Sequence, residues 1–143
     1  MTKKRRLIYQ INMARHVMMK SMDSICVREL DVSVVQLTAL MVLNDKQGCQ
    51  MKELADALML DKSAVTGLTK RLQSKALVER IPSETDSRAS ILTLTENGKE
   101  KLGGGMKLLA EANQMMSEGF SEDELDTVSR YLGHLTHIFS GRS

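Results

Sequence analysis

The segment from Met51 to Leu94 decides the fold of this chain and reads MKELADALMLDKSAVTGLTKRLQSKALVERIPSETDSRASILTL. Apolar residues recur at helical spacing in its first half, which predicts two short helices joined by a tight turn. The second half alternates apolar and polar residues on both sides of a polar loop, which predicts a β-hairpin. Two helices followed by a hairpin are typical of a winged helix-turn-helix.

The second of these two helices has two chemically different faces. Asp61 is a good N-cap for it, and Val65, Leu68 and Leu72 fall on one side. The opposite side carries small or polar residues, namely Ser63, Thr66, Gly67, Lys70 and Ser74. A face of this kind suits the major groove of DNA, because bulky apolar groups would block the approach to the base edges. We therefore predict that this helix reads duplex DNA.

The hairpin is predicted to form a wing. One strand is expected over residues 77–81, stopped by Pro82, and the return strand over residues 90–94. The polar loop of residues 83–89 is long enough to project beyond the body of the protein, and it carries Arg88. An arginine at such a tip can enter the minor groove, where narrow A·T tracts concentrate negative potential.

The flanking sequence is predicted to be helical. Apolar residues recur at steps of three and four from Leu7 to Ile25, which indicates an amphipathic helix of about six turns. Packing against a second subunit explains its length most simply, although an intrachain partner is also possible. Ser33 and Ser121 begin capping boxes, Thr95 is a further helix N-cap, and Cys49 lies in a possible short strand.

The expected fold is therefore mainly α with a small β-wing. A single domain of residues 1–143 would hold a winged helix-turn-helix DNA-binding part at residues 33–95. Residues 1–30 and 96–143 would form N- and C-terminal dimerisation helices around it. The run Gly103–Gly105 is unusual inside such a helix and costs about 2–3 kcal/mol against alanine, so a kink or soft joint is expected there.

Composition narrows the classes of function. The formal net charge is only +2, so any contact with nucleic acid must come from a local cluster of the twenty Lys and Arg. No apolar run approaches the ~20 residues that span a bilayer, which predicts no membrane partner. Two cysteines without CxxC spacing exclude a disulfide framework and suit a cytoplasmic location. The chain has no nucleophile–base pair, Gly-rich phosphate loop or metal-ligand set, which argues against an enzyme, and no cofactor is expected.

Three stretches resemble the MarR family of winged helix-turn-helix transcriptional regulators. The run from Met51 to Arg80 looks like the family's two-helix reader and first wing strand. Asp86-Ser87-Arg88 matches its D-x-R wing signature, and residues 92–98 (LTLTENG) match its L-x-LT-x-x-G motif. The resemblance implies an obligate homodimer on a pseudo-palindromic DNA operator. It also implies that the protein represses transcription and that a small molecule or an oxidant relieves this repression.

Carried onto this chain, the resemblance assigns a role to each matching residue. Ser63, Thr66 and Lys70 would meet the major groove and Arg88 the minor groove, and the remaining DNA-binding residues would be Lys62 and Gly67. Asp86 would support the wing by pairing with Arg71 or Arg80. Gly67 departs from the pattern, because many relatives have a DNA-contacting residue there, often arginine. Ala76 stands where a helix-ending glycine is usual.

Several alternatives remain open at this stage. Cys26 and Cys49 could make the protein a redox-responsive regulator, although neither has an obvious setting for a low pKa, and Cys26 suits a buried position. His134 and His137 lie one helical turn apart, but no third metal ligand is identifiable, so no metal site is assigned.

The many methionines fill a core or line a cavity for a small apolar or phenolic effector. The scarcity of aromatic residues leaves little for a phenol to stack on. A protein-interaction module that keeps the winged-helix fold is a further alternative. Gly67 and the modest net charge are the observations that favour it.

Overall fold

The computed structural model describes residues 3–86 and 89–141, which form six helices and one two-stranded sheet. The elements are α1 (Leu7–Leu30), α2 (Val34–Asp45), α3 (Met51–Leu58), α4 (Lys62–Ser74), β1 (Val78–Pro82), β2 (Ser90–Leu94), α5 (Glu96–Ser117) and α6 (Glu122–Phe139). The predicted fold class, mainly α with a small β-wing, is confirmed. The chain forms two compact units, residues 1–106 and 107–143, so that α5 crosses from one to the other.

The core of the first unit lies where α2, α3, α4 and the wing meet. Leucines dominate it, and each fully buried side chain contributes roughly 1.5–3 kcal/mol relative to an exposed one. The largest fully buried side chains include Leu37, Leu40, Leu43, Leu54, Val65, Leu72, Leu77 and Leu92. Because α4 supplies part of this core, its position is fixed by packing from Val65 to Leu72.

The predicted helix starts are confirmed. Ser33 forms a capping box with Gln36 at the start of α2, and Ser121 forms one with Glu124 at the start of α6. The Asp61 carboxylate accepts a 2.7 Å hydrogen bond from the backbone N–H of Ala64. Each cap satisfies backbone donors that have no partner inside the helix.

The wing is an antiparallel pair in which Val78 lies opposite Leu94 and Pro82 lies opposite Ser90. Pro82 was expected to stop the first strand, but it is the last paired residue of β1. A proline is tolerated there because its missing N–H falls at the end of the ladder. The predicted short strand at Cys49 is confirmed as a bridge to Leu92, with two backbone hydrogen bonds of 3.1 and 2.8 Å.

The first helix has the predicted length but buries little. Of its 24 residues only Cys26 is buried. Ile8 is 81% exposed and Val17 is 59% exposed, and Leu7, Met13 and Met18 are also exposed. Most of the apolar stripe of α1 therefore remains on the surface of the single chain.

The helix α5 continues without a break through Gly103–Gly105. A Cβ atom at Gly105 would overlap the Leu37 side chain, with Leu37 Cδ2 at 2.6 Å. One at Gly104 would lie 2.8 Å from Leu30 Cδ2, whereas one at Gly103 would meet nothing within 4 Å among the described residues. Two of the three glycines therefore let α5 approach the core closely, a role that the sequence did not indicate.

The second unit contains the C-terminal part of α5 and the helix α6. None of the described residues of α6 is buried. Several large apolar side chains of α6 and of the residues near the end of α5 are exposed, namely Met115, Met116, Phe120, Val128, Leu132 and Phe139. None of the helices in the described part of the chain is long and apolar enough to cross a membrane.

Candidate nucleic-acid interface

The predicted reading helix, α4, has the expected apolar rear. Val65, Leu68 and Leu72 are each at most 2% exposed. These three side chains pack into the core of the first unit, which sets the rotation of the helix about its axis. The opposite side of α4 must therefore face outward.

The front of α4 brings together the five helix residues that are predicted to bind DNA. They line one shallow, open depression, formed by Lys62, Ser63, Thr66, Gly67 and Lys70. Lys62, Ser63 and Lys70 are exposed, and Thr66 and Gly67 are half-buried. The two lysine ammonium groups suit the phosphates of a nucleic acid. The small polar side chains beside them suit hydrogen bonds to base edges.

The two hydroxyl groups of this face differ in what they can offer a ligand. The Thr66 hydroxyl donates a 2.7 Å hydrogen bond to the backbone carbonyl of Lys62, so its proton is already used. It can still accept a hydrogen bond and present its methyl group. Ser63, which stands at the start of the helix, is exposed and can rotate to donate or accept.

The end of α4 is fixed by a contact that the sequence did not reveal. The Lys75 ammonium donates to the backbone carbonyl of Asp31 at 2.5 Å and to Gln36 Oε1 at 3.3 Å. The next residue, Ala76, has a φ of 58°, so an alanine adopts the left-handed turn that usually carries a glycine. The reading helix is therefore tied at its C-terminal end to the turn between α1 and α2.

The wing loop is closed by hydrogen bonds around one serine. The backbone N–H of Asp86 donates to Ser83 Oγ at 3.3 Å, and the N–H of Ser83 donates to the carbonyl of Ala89 at 3.1 Å. Arg88, the predicted minor-groove residue, lies outside the described residues. Its assignment stays a prediction.

The role of Asp86 in supporting the wing stays a prediction. Among the described residues, no ion pair joins Asp86 to Arg71 or to Arg80. The Arg80 guanidinium instead donates to the sulfur of Met51 at 2.7 Å, which links β1 to the start of α3. Arg71 lies along α4 beside Gly67.

Both candidate redox cysteines are buried, Cys26 at 0% and Cys49 at 3% exposure. Burial raises the pKa of the Cys26 thiol, and the negative charge of Asp23 raises it further. Burial also raises the pKa of the Cys49 thiol, with a further increase from Glu53 and a smaller opposing effect from Lys46. A raised pKa leaves less thiolate at neutral pH, and the thiolate is the form that oxidants attack.

Both thiols should therefore react slowly in the folded protein. At pH 7, alkylation by iodoacetamide should be at least about tenfold slower in buffer than in denaturant, because unfolding exposes both thiols and restores their ordinary pKa. The native rate should rise with pH and should still be rising above the ordinary thiol pKa, because the raised pKa shifts full ionisation to higher pH. Mass spectrometry of each cysteine-containing peptide gives the two rates. Rapid native labelling of either cysteine at pH 7 would contradict this prediction and favour the redox alternative.

The described residues offer little support for metal sensing. His134 and His137 are both exposed on α6. Within residues 3–86 and 89–141, no three His, Cys, Asp or Glu side chains are grouped so that they could hold a metal ion. We therefore assign neither histidine as a metal ligand.

A reading helix with a polar front, a supporting helix before it and a wing after it define a winged helix-turn-helix regulator of transcription. The sequence model described as the MarR family matches residues 30–89, which include the reading helix and most of the wing. The chain belongs to the MarR family of transcriptional regulators, which are DNA-binding proteins and not enzymes.

Relatives and solved structures agree with this assignment. The uncharacterized HTH-type transcriptional regulator YfiV of Bacillus subtilis is 33% identical over 105 residues, which cover 65% of this chain and 66% of YfiV. MgrA of Staphylococcus aureus, also an HTH-type transcriptional regulator, is 27% identical over 78% of this chain and 75% of its own length.

Two solved structures share the fold. A MarR/EmrR family transcriptional regulator from Acinetobacter sp. ADP1 superposes with a TM-score of 0.84 at 26% identity, covering 96% of each chain. The S. aureus MepR–DNA complex gives a TM-score of 0.84 at 22% identity, covering 92% of this chain and 95% of MepR.

Proposed function

We propose that this protein is a homodimer that binds a pseudo-palindromic DNA operator and represses transcription until a small-molecule effector relieves it. The observation that carries the proposal is the front of α4, where Lys62, Ser63, Thr66, Gly67 and Lys70 line one open depression. Lysines on phosphates supply affinity, and the polar side chains between them read base edges. Arg88 reads the adjacent minor groove.

The exposed apolar residues of α1 and α6 support the dimer. A single chain leaves Ile8 and Val17 exposed on α1, and Val128, Leu132 and Phe139 exposed on α6. Apolar surface of this extent favours association, because burying it gains roughly 25 cal/mol per Å². The dimer would hold its two reading helices about 34 Å apart, one turn of DNA. Light scattering should then give a mass of twice 16.0 kDa.

A gel shift with the DNA flanking the protein's own gene tests the proposal. The wild type should shift this DNA in the presence of competitor DNA, because it reads sequence and not charge alone. Arg88→Ala should weaken this specific binding about tenfold or more at physiological salt, because it removes the minor-groove contact. Specific binding that stays unchanged in Arg88→Ala would contradict the role of the wing. A wild type that binds no DNA would leave the protein-interaction module as the better explanation.

The proposed effector is a small apolar or phenolic molecule. Unbranched methionine side chains adapt to varied apolar ligands, and Met13, Met18 and Met106 are partly exposed in the first unit. An effector that releases DNA would stabilise the DNA-free protein by mass action. Thermal-shift screening with and without DNA identifies such a molecule by the rise in melting temperature that it causes in the DNA-free protein. The redox alternative is less well supported, because both cysteines are buried.

A further inference from the structure

Arg71 extends along the surface of α4 toward the space that Gly67 leaves empty. A Cβ atom at position 67 would lie 3.7 Å from both terminal nitrogens of the Arg71 guanidinium. The two residues are one helical turn apart, and long side chains in a helix lean toward its N-terminus and over the residue four positions earlier. Because Gly67 has no side chain, the guanidinium borders an unfilled space at the edge of the reading face.

The Arg71 guanidinium has the charge and the freedom that a DNA contact requires. The residue is exposed, and its guanidinium forms no ion pair within residues 3–86 and 89–141. Ser63 and Gly67 line the adjacent depression together with two lysines, so the local charge is positive. A surface arginine without an acidic partner gives the fold no ion-pair stabilisation but remains available to an anionic ligand.

We propose that Arg71 is a specificity-determining residue that reaches guanine in the major groove through the space above Gly67. The planar guanidinium offers two parallel N–H donors, which match the O6 and N7 acceptors of guanine. Lys70, beside it, has three rotatable N–H donors on one ammonium group and lacks the fixed, planar fork of the guanidinium, so it holds such a contact less specifically. The proposal rests on the proposed function, since it requires that α4 enters the major groove.

Selection from a library of random duplex DNA tests the proposal and requires no assumed operator sequence. The wild type should enrich a symmetric sequence with a conserved guanine in each half-site. Its affinity for a selected duplex should exceed that for the same duplex with this G·C pair changed to A·T by about 10- to 100-fold. Arg71→Ala should lose this discrimination, and Arg71→Lys should lose most of it while keeping its affinity for unrelated duplexes. Arg15→Ala, an exposed arginine of α1, serves as the matched control and should keep the discrimination.

The outcomes separate this inference from the proposed function. A wild type that enriches no sequence would overturn the proposed function and this inference with it. Arg71→Ala protein that selects the same sequence as the wild type would overturn only the inference. A uniform loss of affinity on all duplexes would also overturn only the inference, if the slope of log affinity against log salt became smaller by about 0.9 per site. That result indicates a phosphate contact. Gly67→Leu should also abolish the guanine preference by filling the space, and retention of the preference would overturn the proposed route.

Discussion

Replacing Lys62 and Lys70 together with glutamate should abolish measurable binding to duplex DNA at physiological salt. Both lysines line the depression on the front of α4, and both are exposed. Each lost phosphate contact lowers the slope of log affinity against log salt by about 0.9, so a dimer that loses four contacts should lose about 3–4 from its slope. The added repulsion between carboxylates and phosphates brings the expected loss of affinity to more than ~1000-fold.

Fluorescence anisotropy with a labelled duplex of about three helical turns, over a series of salt concentrations, measures both the affinity and the slope. The control variant carries Lys20→Glu and Lys46→Glu, which change the net charge equally and lie on exposed positions outside α4 and the wing. This control should retain most of the affinity. An equal loss in the two variants would assign the effect to total charge and would contradict a binding site on α4.

Local interactions made much of the fold predictable from the sequence. A capping residue acts on backbone groups within three positions, so Ser33, Asp61 and Ser121 could be assigned from the sequence without the tertiary structure. The apolar rear of α4 followed from helical periodicity, and the wing strands followed from alternation. The polar front of α4, and with it most of the candidate site, was therefore predictable.

Contacts that depend on the tertiary structure or on the direction of a side chain were not predictable. Lys75 reaches the carbonyl of Asp31, 44 positions earlier, but in the sequence it is an ordinary surface lysine. Arg71 was interpreted as support for the wing, and its approach to Gly67 depends on a side-chain direction that composition does not reveal. Gly67 departs from the family pattern, and in the structure a Cβ atom there would lie in ordinary van der Waals contact with the Arg71 guanidinium.

The glycines of α5 illustrate the same limit. Helix propensity treats Gly103, Gly104 and Gly105 alike, because it counts only backbone entropy and side-chain freedom. In the structure the three have different surroundings, from open space at Gly103 to the Leu37 side chain at Gly105. Propensity predicts a soft joint at these glycines. In the structure, two of them, Gly104 and Gly105, are instead sites of close packing.

Replacing Gly98 with alanine should destabilise the DNA-binding part of the protein by about 2–4 kcal/mol, a fall in melting temperature of about 10 °C. The new Cβ would overlap the backbone oxygen of Leu77 and lie 3.1 Å from its carbonyl carbon. That oxygen accepts a 3.1 Å hydrogen bond from the N–H of Thr95, whose hydroxyl in turn donates to the carbonyl of Ala76. A backbone carbonyl cannot rotate away as a side chain can, so the clash would break the junction of α4, the wing and α5.

Gly103→Ala provides the matched control because it makes the same chemical change five positions later in the same helix. An alanine there meets nothing within 4 Å among the described residues, so it should stabilise the helix by about 0.5–1 kcal/mol through propensity alone. Thermal denaturation of both variants, followed by circular dichroism, gives the two values with opposite signs. Equal changes in the two would mean that α5 responds only to propensity, and the close contact between Gly98 and Leu77 would then have no energetic weight. If Gly98→Ala alone is destabilised, the glycine of the L-x-LT-x-x-G motif is required because the backbone of Leu77 occupies the space of its Cβ.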